Sequence, residues 1–151
     1  MKLAVLGLGS IGMRHAKNAL ALGVSVVGYD PDLNCRKAFE NMGGITVNTR
    51  QTALQGAEAV VIASPNACHL KDIHASIEAR CHILVEKPIA HSVEGLGDLL
   101  FKAKKHHLFV YVAHNLRVHP AVEFAKKILE KQKLGKILWA RSIAASYLPN
   151  W

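Results

Sequence analysis

Short apolar runs alternate along the chain with segments in which apolar residues recur at every third or fourth position. The runs predict strands over residues 3–6, 24–29, 45–47, 59–63, 82–86 and 108–113. The periodic segments predict a helix after the first run, marked by Ile11, Ala16, Ala19 and Leu20, and further helices over residues 33–41, 49–55, 67–79 and 93–105. This alternation is typical of an α/β fold with a doubly wound parallel sheet, buried on both faces.

The last part of the chain departs from this alternation. Pro120 stands where a first helical turn tolerates proline, and an apolar stripe follows it down to residue 132. Residues 137–147 then predict an extended segment, which we interpret as the first strand of a second, α+β domain. We therefore expect an α/β domain over residues 1–118, a linking helix over 119–133 and the start of a truncated substrate domain over 134–151.

Composition and charge limit the partners and the cellular compartment that we expect for this protein. No apolar run approaches the roughly 20 residues that cross a bilayer, so we expect no membrane partner. The net charge is +8, but no aromatic platform or basic recognition helix accompanies it, so we expect no nucleic-acid partner. Cys35, Cys68 and Cys81 lack CxxC spacing, which predicts reduced thiols in a cytoplasmic protein and no metal site.

Three glycines form a G-x-G-x-x-G turn between the first predicted strand and the first helix. They are Gly7, Gly9 and Gly12, and Asp30 ends the second strand. This context is the fingerprint of a Rossmann domain, where a dinucleotide diphosphate rests on the helix N-terminus and an acid binds the adenosine ribose. The charge of Asp30 favours NAD over NADP, although Arg36 leaves NADP open as an alternative.

A second candidate for chemistry is Glu86-Lys87-Pro88, which follows the fifth strand. Ligands of open α/β sheets collect at the carboxyl ends of the strands, so Lys87 could move a proton beside a bound nicotinamide. From position alone, a surface lysine paired with Glu86 is an equally good interpretation.

These motifs together resemble the glucose-fructose oxidoreductase / inositol dehydrogenase family, also called Gfo/Idh/MocA. The similarity runs through GLGSIGMRH (7–15), ASPNACH (63–69), EKPIA (86–90), HNLRVHP (114–120) and LGKI (134–137). It implies that Ser10 and Ile11 follow the diphosphate turn, that Ser64, Pro65, Asn66 and His69 line the nicotinamide side, that Glu86 and the catalytic Lys87 bridge cofactor and substrate, and that Asn115 and Arg117 lie near the same cleft. Without the resemblance, His69 would be a helix-start side chain, and the last two would belong to a polar loop.

The resemblance also implies an activity. Family members transfer hydride between a nicotinamide cofactor and CH–OH groups, here those of a sugar, polyol or nucleotide sugar, and a second domain supplies substrate contacts and the interface of a homo-oligomer. The ending, residues 146–151, resembles members that act on sugars. We expect this chain to bind NAD and, as it stands, to turn over poorly. The alternative is a non-catalytic module that binds or senses NAD.

Overall fold

A computed structural model describes residues 1–143 and residue 145. Six strands form one sheet: β1 (Lys2–Leu6), β2 (Ser25–Tyr29), β3 (Ile45–Thr46), β4 (Ala59–Ile62), β5 (His82–Val85) and β6 (Val110–Val112). The helices are α1 (Ser10–Ala21), α2 (Leu33–Glu40), α3 (Arg50–Leu54), α4 (His69–Glu78), α5 (Leu96–Lys105) and α6 (Pro120–Glu130), with 3-10 turns at Asn66–Cys68 and Asn115–Val118. Every strand and helix predicted over residues 1–132 is present.

All strand pairs are parallel, and their order is β3-β2-β1-β4-β5-β6. The predicted doubly wound α/β fold is therefore confirmed. The chain winds outward in one direction from β1 to β3 and in the other from β4 to β6. The reversal lies between β1 and β4, and ligands of such sheets bind beside that switch point.

Successive strand residues point to opposite faces, and each face packs on its own set of helices. On one face, Ala4 and Leu6 of β1 are buried in a cluster that includes residues of α3, α4 and α5. On the other face, Val5 is buried in a cluster that includes residues of α1 and α2. Because both faces are covered, the strands are nearly continuous in apolar residues, as the sequence pattern indicated.

The largest boundary differences have local causes. The fourth helix starts at His69 because a 3-10 turn, Asn66–Cys68, precedes it, and the fifth starts at Leu96. Gly95 adopts a left-handed conformation with φ of 72°, which an α-helix cannot contain. None of the helices in the described residues combines the length and apolarity needed to cross a membrane.

Contacts divide the chain into two units, Met1–His114 and Asn115–Trp151. The second unit contains α6, which has no buried residue. Of the segment 137–147, predicted to be a strand, the described residues 137–143 and 145 lie in no strand, because a strand requires a hydrogen-bonded neighbour and no described segment pairs with them. Residues 144 and 146–151, which include the ending that resembles sugar-acting members, lie outside the described residues.

Candidate cofactor site

The carboxyl ends of the central strands are level with one another. Leu6 is in register with Tyr29 of β2 and with Ile62 of β4, and Ile62 is in register with Val85 of β5. The next residues therefore meet at one edge of the sheet, and these are Gly7, Asp30, Ala63 and Glu86. The predicted glycine turn, ribose acid and lysine motif thus belong to the same edge.

A cavity of about 600 Å³ opens at this edge, a volume within the range of small-molecule sites. It lies within the first unit. Among the predicted site residues it is lined by Gly7, Gly9, Ser10, Ile11, Asp30, Ser64 and Pro65. The remaining lining residues, which sequence reasoning missed, are Leu6, Tyr29, Pro31, Arg50, Ala63, Cys68 and Asp72.

Two of the three glycines are required by the protein's own packing. Gly7 has φ of +90°, and a Cβ there would lie 2.6 Å from the carbonyl carbon of Ala63. A Cβ on Gly12 would lie 1.8 Å from the carbonyl oxygen of Gly7. Contacts this short exclude a side chain, so these glycines let α1 start directly against the end of β1.

Gly9 is different, because nothing in the protein requires glycine there. Its φ is −65°, which any residue adopts, and a Cβ would meet no atom within 4 Å. It is the N-cap of α1, provides no side-chain cap, and precedes a first turn without acidic residues. The first N–H groups of a helix lack intrahelical acceptors. An open glycine beside amides without a cap fits the close approach of a dinucleotide diphosphate.

Asp30 is held by the main chain around it. One carboxylate oxygen accepts from Leu8 N at 2.7 Å and the other from Asp32 N at 2.8 Å. Each oxygen keeps a further lone pair, so the carboxylate can still accept from ribose hydroxyls. Arg36 donates to the main-chain oxygen of Asp30 at 2.7 Å and not to its carboxylate. The negative charge that disfavours an added 2′-phosphate therefore has no direct ion pair with Arg36.

A buried network reaches the cavity from the side of β4. The Ser64 hydroxyl donates to one carboxylate oxygen of Asp72 at 2.5 Å, and Nε of Arg50 forms an ion pair with the other. Asp72 is 1% exposed and the Arg50 side chain 17%. The network fixes the Ser64 side chain and one edge of the Arg50 guanidinium.

Two features of the sequence could have indicated this network. Arg50 is the first residue of α3, where the helix dipole disfavours a cation. Asp72 belongs to a helical stripe that should be apolar, yet His69, Asp72 and Ser76 on it are polar and buried together with Ile73 and Ile77. Polar residues on a buried stripe indicate partners elsewhere in the fold, although not which ones.

His69 connects two loops of the site. Its ring is fully buried and is not among the residues lining the cavity. Nδ1 lies 2.9 Å from the carbonyl oxygen of Pro88, and Nε2 lies 2.9 Å from that of Ser64. The predicted contact with nicotinamide stays a prediction, and the observed contacts favour a positioning role. The ring ties the loop after β4 to the loop that carries Lys87.

The Glu86 carboxylate contacts His15 of the first helix and not the ammonium of the neighbouring Lys87. His15 Nε2 lies 2.9 Å from one Glu86 carboxylate oxygen, and the Lys87 main-chain N donates to the other at 3.3 Å. Lys87 is exposed, and within residues 1–143 its ammonium forms no ion pair. The alternative interpretation, a surface lysine paired with Glu86, is therefore not what the structure shows.

The other predicted residues lie outside the cavity lining. Asn66 is exposed in the 3-10 turn after Pro65. Asn115 and Arg117 are exposed in the 3-10 turn that begins the second unit, and their role in the cleft stays a prediction. Cys35, Cys68 and Cys81 are free thiols, and of these Cys68 lines the cavity.

Comparison with known proteins agrees with this geometry. Residues 1–114 match the family described as "Oxidoreductase family, NAD-binding Rossmann fold". UDP-N-acetylglucosamine 3-dehydrogenase of Acidithiobacillus ferrooxidans is 27% identical over 89% of this chain and 46% of its own length. Levoglucosan dehydrogenase of Pseudarthrobacter phenanthrenivorans is 38% identical over 61% of this chain and 23% of its own length.

A solved structure shares the fold. Scyllo-inositol dehydrogenase of Lactobacillus casei, solved with bound NAD(H) and scyllo-inositol, aligns with a TM-score of 0.79 and 24% identity. The alignment covers 89% of this chain and 42% of that one. The chain thus spans less than half the length of these relatives. With a family match over three-quarters of its length and the strand order of that fold, the chain belongs to the Gfo/Idh/MocA oxidoreductase family and carries its NAD-binding Rossmann domain.

Proposed function

We propose that this chain is the cofactor-binding part of an NAD-dependent oxidoreductase that transfers hydride to or from a CH–OH carbon of a sugar, polyol or nucleotide sugar. The observation that carries the proposal is Gly9, where an added Cβ would meet no protein atom within 4 Å, beside the uncapped start of α1. A glycine without a conformational or packing reason is accounted for by a ligand that approaches the main chain.

The residues at the strand edge suit successive parts of NAD. The main-chain amides of Ser10 and Ile11 would hold the diphosphate, and Asp30 would accept from the adenosine ribose. The nicotinamide would then extend past the switch point toward Ser64 and Lys87. NAD is preferred over NADP in this proposal, because the Asp30 carboxylate would repel a 2′-phosphate.

Lys87 is the residue we assign to proton transfer. It follows β5 at the edge where the nicotinamide would end, and its ammonium is exposed rather than paired with Glu86. Bound NAD would supply the acceptor for hydride. A lysine amine within hydrogen-bond reach of the substrate hydroxyl would take up the proton when the alcohol is oxidised and return it in the reverse reaction.

The substrate class rests on the relatives. Their names specify dehydrogenases of UDP-N-acetylglucosamine, glucose 6-phosphate and levoglucosan. These substrates share secondary hydroxyls on a sugar ring, which we propose for this protein as well. By the same family relation we propose that the whole protein is a homo-oligomer, and its free thiols favour the cytoplasm. Light scattering and fractionation of cells test these two points.

Cofactor binding is the first test. NADH added to the protein should raise its melting temperature and enhance the fluorescence of the dihydronicotinamide, and NADPH should do so more weakly. Asp30→Ala should reduce the difference between the two cofactors. Absence of both signals with NADH would remove the proposed function.

Hydride transfer is the second test. A longer form of the protein that carries a substrate domain is incubated with NAD and a panel of sugars, polyols and nucleotide sugars, and formation of NADH is followed by absorbance. Lys87→Ala should lower kcat by roughly a hundredfold or more, as expected for loss of a proton-transfer group. The matched control Lys105→Ala removes an exposed lysine at the end of α5 and should leave the rate unchanged. Binding of NADH without turnover on any substrate would favour the sensor module instead.

A further inference from the structure

Arg50 lines the cavity, and neither the glycine fingerprint nor the lysine motif includes it. It follows β3, which pairs with β2 on the side away from β1, and it lines the same cavity as Asp30 and Pro31. Because Asp30 would hold the adenosine ribose, the base attached to that ribose would lie in this part of the cavity. Lys87 follows β5, on the opposite side of the switch point.

The Arg50 side chain is held along one edge. Its Nε faces Asp72, a fully buried carboxylate whose other oxygen accepts from Ser64. The arginine charge is therefore compensated at short range, which weakens its attraction for a phosphate. The ion pair engages Nε alone, and the Arg50 side chain, 17% exposed, lines the cavity. A guanidinium bound at one edge can still stack on an aromatic ring through its planar face.

We propose that Arg50 is the platform on which the adenine base of the cofactor stacks, and that Asp72 and Ser64 act as positioning residues that orient its guanidinium. A planar guanidinium stacks on aromatic rings through cation–π attraction and dispersion. The proposal rests on the proposed function, because it requires a dinucleotide in this cavity. It adds selectivity for an adenine-containing cofactor to the contacts with diphosphate and ribose.

The test compares two neutralising variants. Arg50→Ala alone would leave the Asp72 charge buried without a partner and could unfold the protein. The double variant Arg50→Gln/Asp72→Asn removes the guanidinium while keeping two polar side chains that can bond to each other. The matched control is Asp72→Asn, which retains Arg50. Melting temperature and circular dichroism establish that both variants are folded.

Binding is measured by calorimetry with ADP-ribose, which contains adenine, and by competition with nicotinamide mononucleotide and inorganic pyrophosphate, which do not. The double variant should bind ADP-ribose roughly 2- to 30-fold more weakly than wild type, the range expected for one cation–π contact. Its affinities for the two probes without adenine should not change. Asp72→Asn keeps the guanidinium but loses the carboxylate that orients it, so it should weaken ADP-ribose binding less than the double variant does, and the loss in the double variant should persist at high salt.

Other outcomes would overturn the proposal in distinguishable ways. If wild type binds ADP-ribose and the double variant binds it equally well, the platform is wrong while the proposed function stands. A different result would be that Asp72→Asn binds pyrophosphate more tightly than wild type does, and that the double variant binds pyrophosphate more weakly than wild type only at low salt. Arg50 would then be a phosphate contact and not a base platform. If wild type binds neither NADH nor ADP-ribose, the proposed function fails and the platform fails with it.

Discussion

The β2 side and the β5 side of the strand edge are built by different means. On the β2 side, the cavity is formed by main-chain atoms at Gly9 and by Asp30 with its two main-chain hydrogen bonds. The buried ion pair between Arg50, which follows β3, and Asp72, which follows β4, joins this side to the middle of the edge. On the β5 side, Lys87 is exposed on a loop. That loop is tied to the rest of the first unit by the contacts of His69 and Glu86.

Under the proposed function, this difference would separate cofactor binding from proton transfer along one edge. Groups that hold a diphosphate and a ribose must be in place before the ligand arrives, since ordering them on binding would cost affinity. A lysine that moves a proton must reach the substrate and water. On this basis, changes on the β2 side should affect the fold or the cofactor affinity, and changes on the β5 side should affect the geometry of one loop.

The largest expected effect comes from adding a methyl group to two of the three glycines of the motif. Gly12→Ala should lower the free energy of unfolding by about 3 kcal/mol or more, because its Cβ overlaps the Gly7 carbonyl. Gly9→Ala should leave stability within about 0.5 kcal/mol, yet weaken NADH binding by roughly tenfold to a hundredfold. Denaturant titration and NADH fluorescence measure the two effects. A Gly12→Ala variant as stable as wild type, or a Gly9→Ala variant that binds NADH with wild-type affinity, would contradict the assignment of a packing role to Gly12 and a ligand-binding role to Gly9.

The next largest expected effect is the loss of stability in Asp72→Ala. It leaves the Arg50 charge without its partner and the Ser64 hydroxyl without its acceptor. We expect a loss of about 2–3 kcal/mol, less than for a fully buried pair because the guanidinium is partly exposed. The control is Asp98→Ala, which removes an exposed aspartate from the first turn of α5. Equal losses of unfolding free energy in the two variants would mean that the buried ion pair contributes no more to stability than an exposed aspartate does.

On the β5 side, His69→Phe should lower stability by roughly 1–3 kcal/mol, since two main-chain carbonyl groups would lose their contacts with the ring nitrogens. It should also increase hydrogen exchange in the loop around Lys87 while NADH still binds. His74→Phe, an exposed position on the same helix, is the control and should change neither quantity. Loss of NADH binding without a change in exchange would argue for direct contact between His69 and the cofactor.

The smallest effect uses the three cysteines as probes. Cys68 lines the cavity, so NADH should slow its alkylation several-fold. Burial, then the Asp30 and Asp32 carboxylates and a hydrogen bond to Asp32, raise the pKa of Cys35, and burial raises the pKa of Cys81. Because the thiolate is the reactive form, both should react slowly at neutral pH and faster as pH rises. Mass spectrometry of alkylated peptides follows each site, and a rate of Cys68 alkylation that NADH leaves unchanged would place the cofactor elsewhere.

The sequence predicted the elements of the first unit because its pattern is consistent at several levels. Apolar runs, helical periodicity and glycines at helix ends all indicated the same alternation. The Gly7, Gly9 and Asp30 positions were predictable because the fingerprint is local, lying within one strand–helix–strand unit from β1 to the end of β2. The segment 137–147 was predicted as a strand on propensity alone, and propensity supplies no pairing partner.

The residues missed by sequence reasoning share a physical reason. Arg50 and Asp72 stand on different helices, and no local rule connects a base that opens one short helix with an acid on the buried stripe of another. The same holds for His15 and Glu86, which are 71 positions apart. Long-range contacts depend on how helices pack on the sheet, and that packing exists only in the folded chain.

By itself, the sequence determined the strand–helix alternation, the glycine turn and the acid at the end of β2, because each depends on the local sequence. Only the tertiary structure decided that Gly9, unlike Gly7 and Gly12, has no packing role, and that His69 is enclosed between two loops. It alone assigned Glu86 to His15, which leaves Lys87 without an ion pair among the described residues. These choices depend on which surfaces are brought within a few ångströms, and distance in the chain does not specify distance in space.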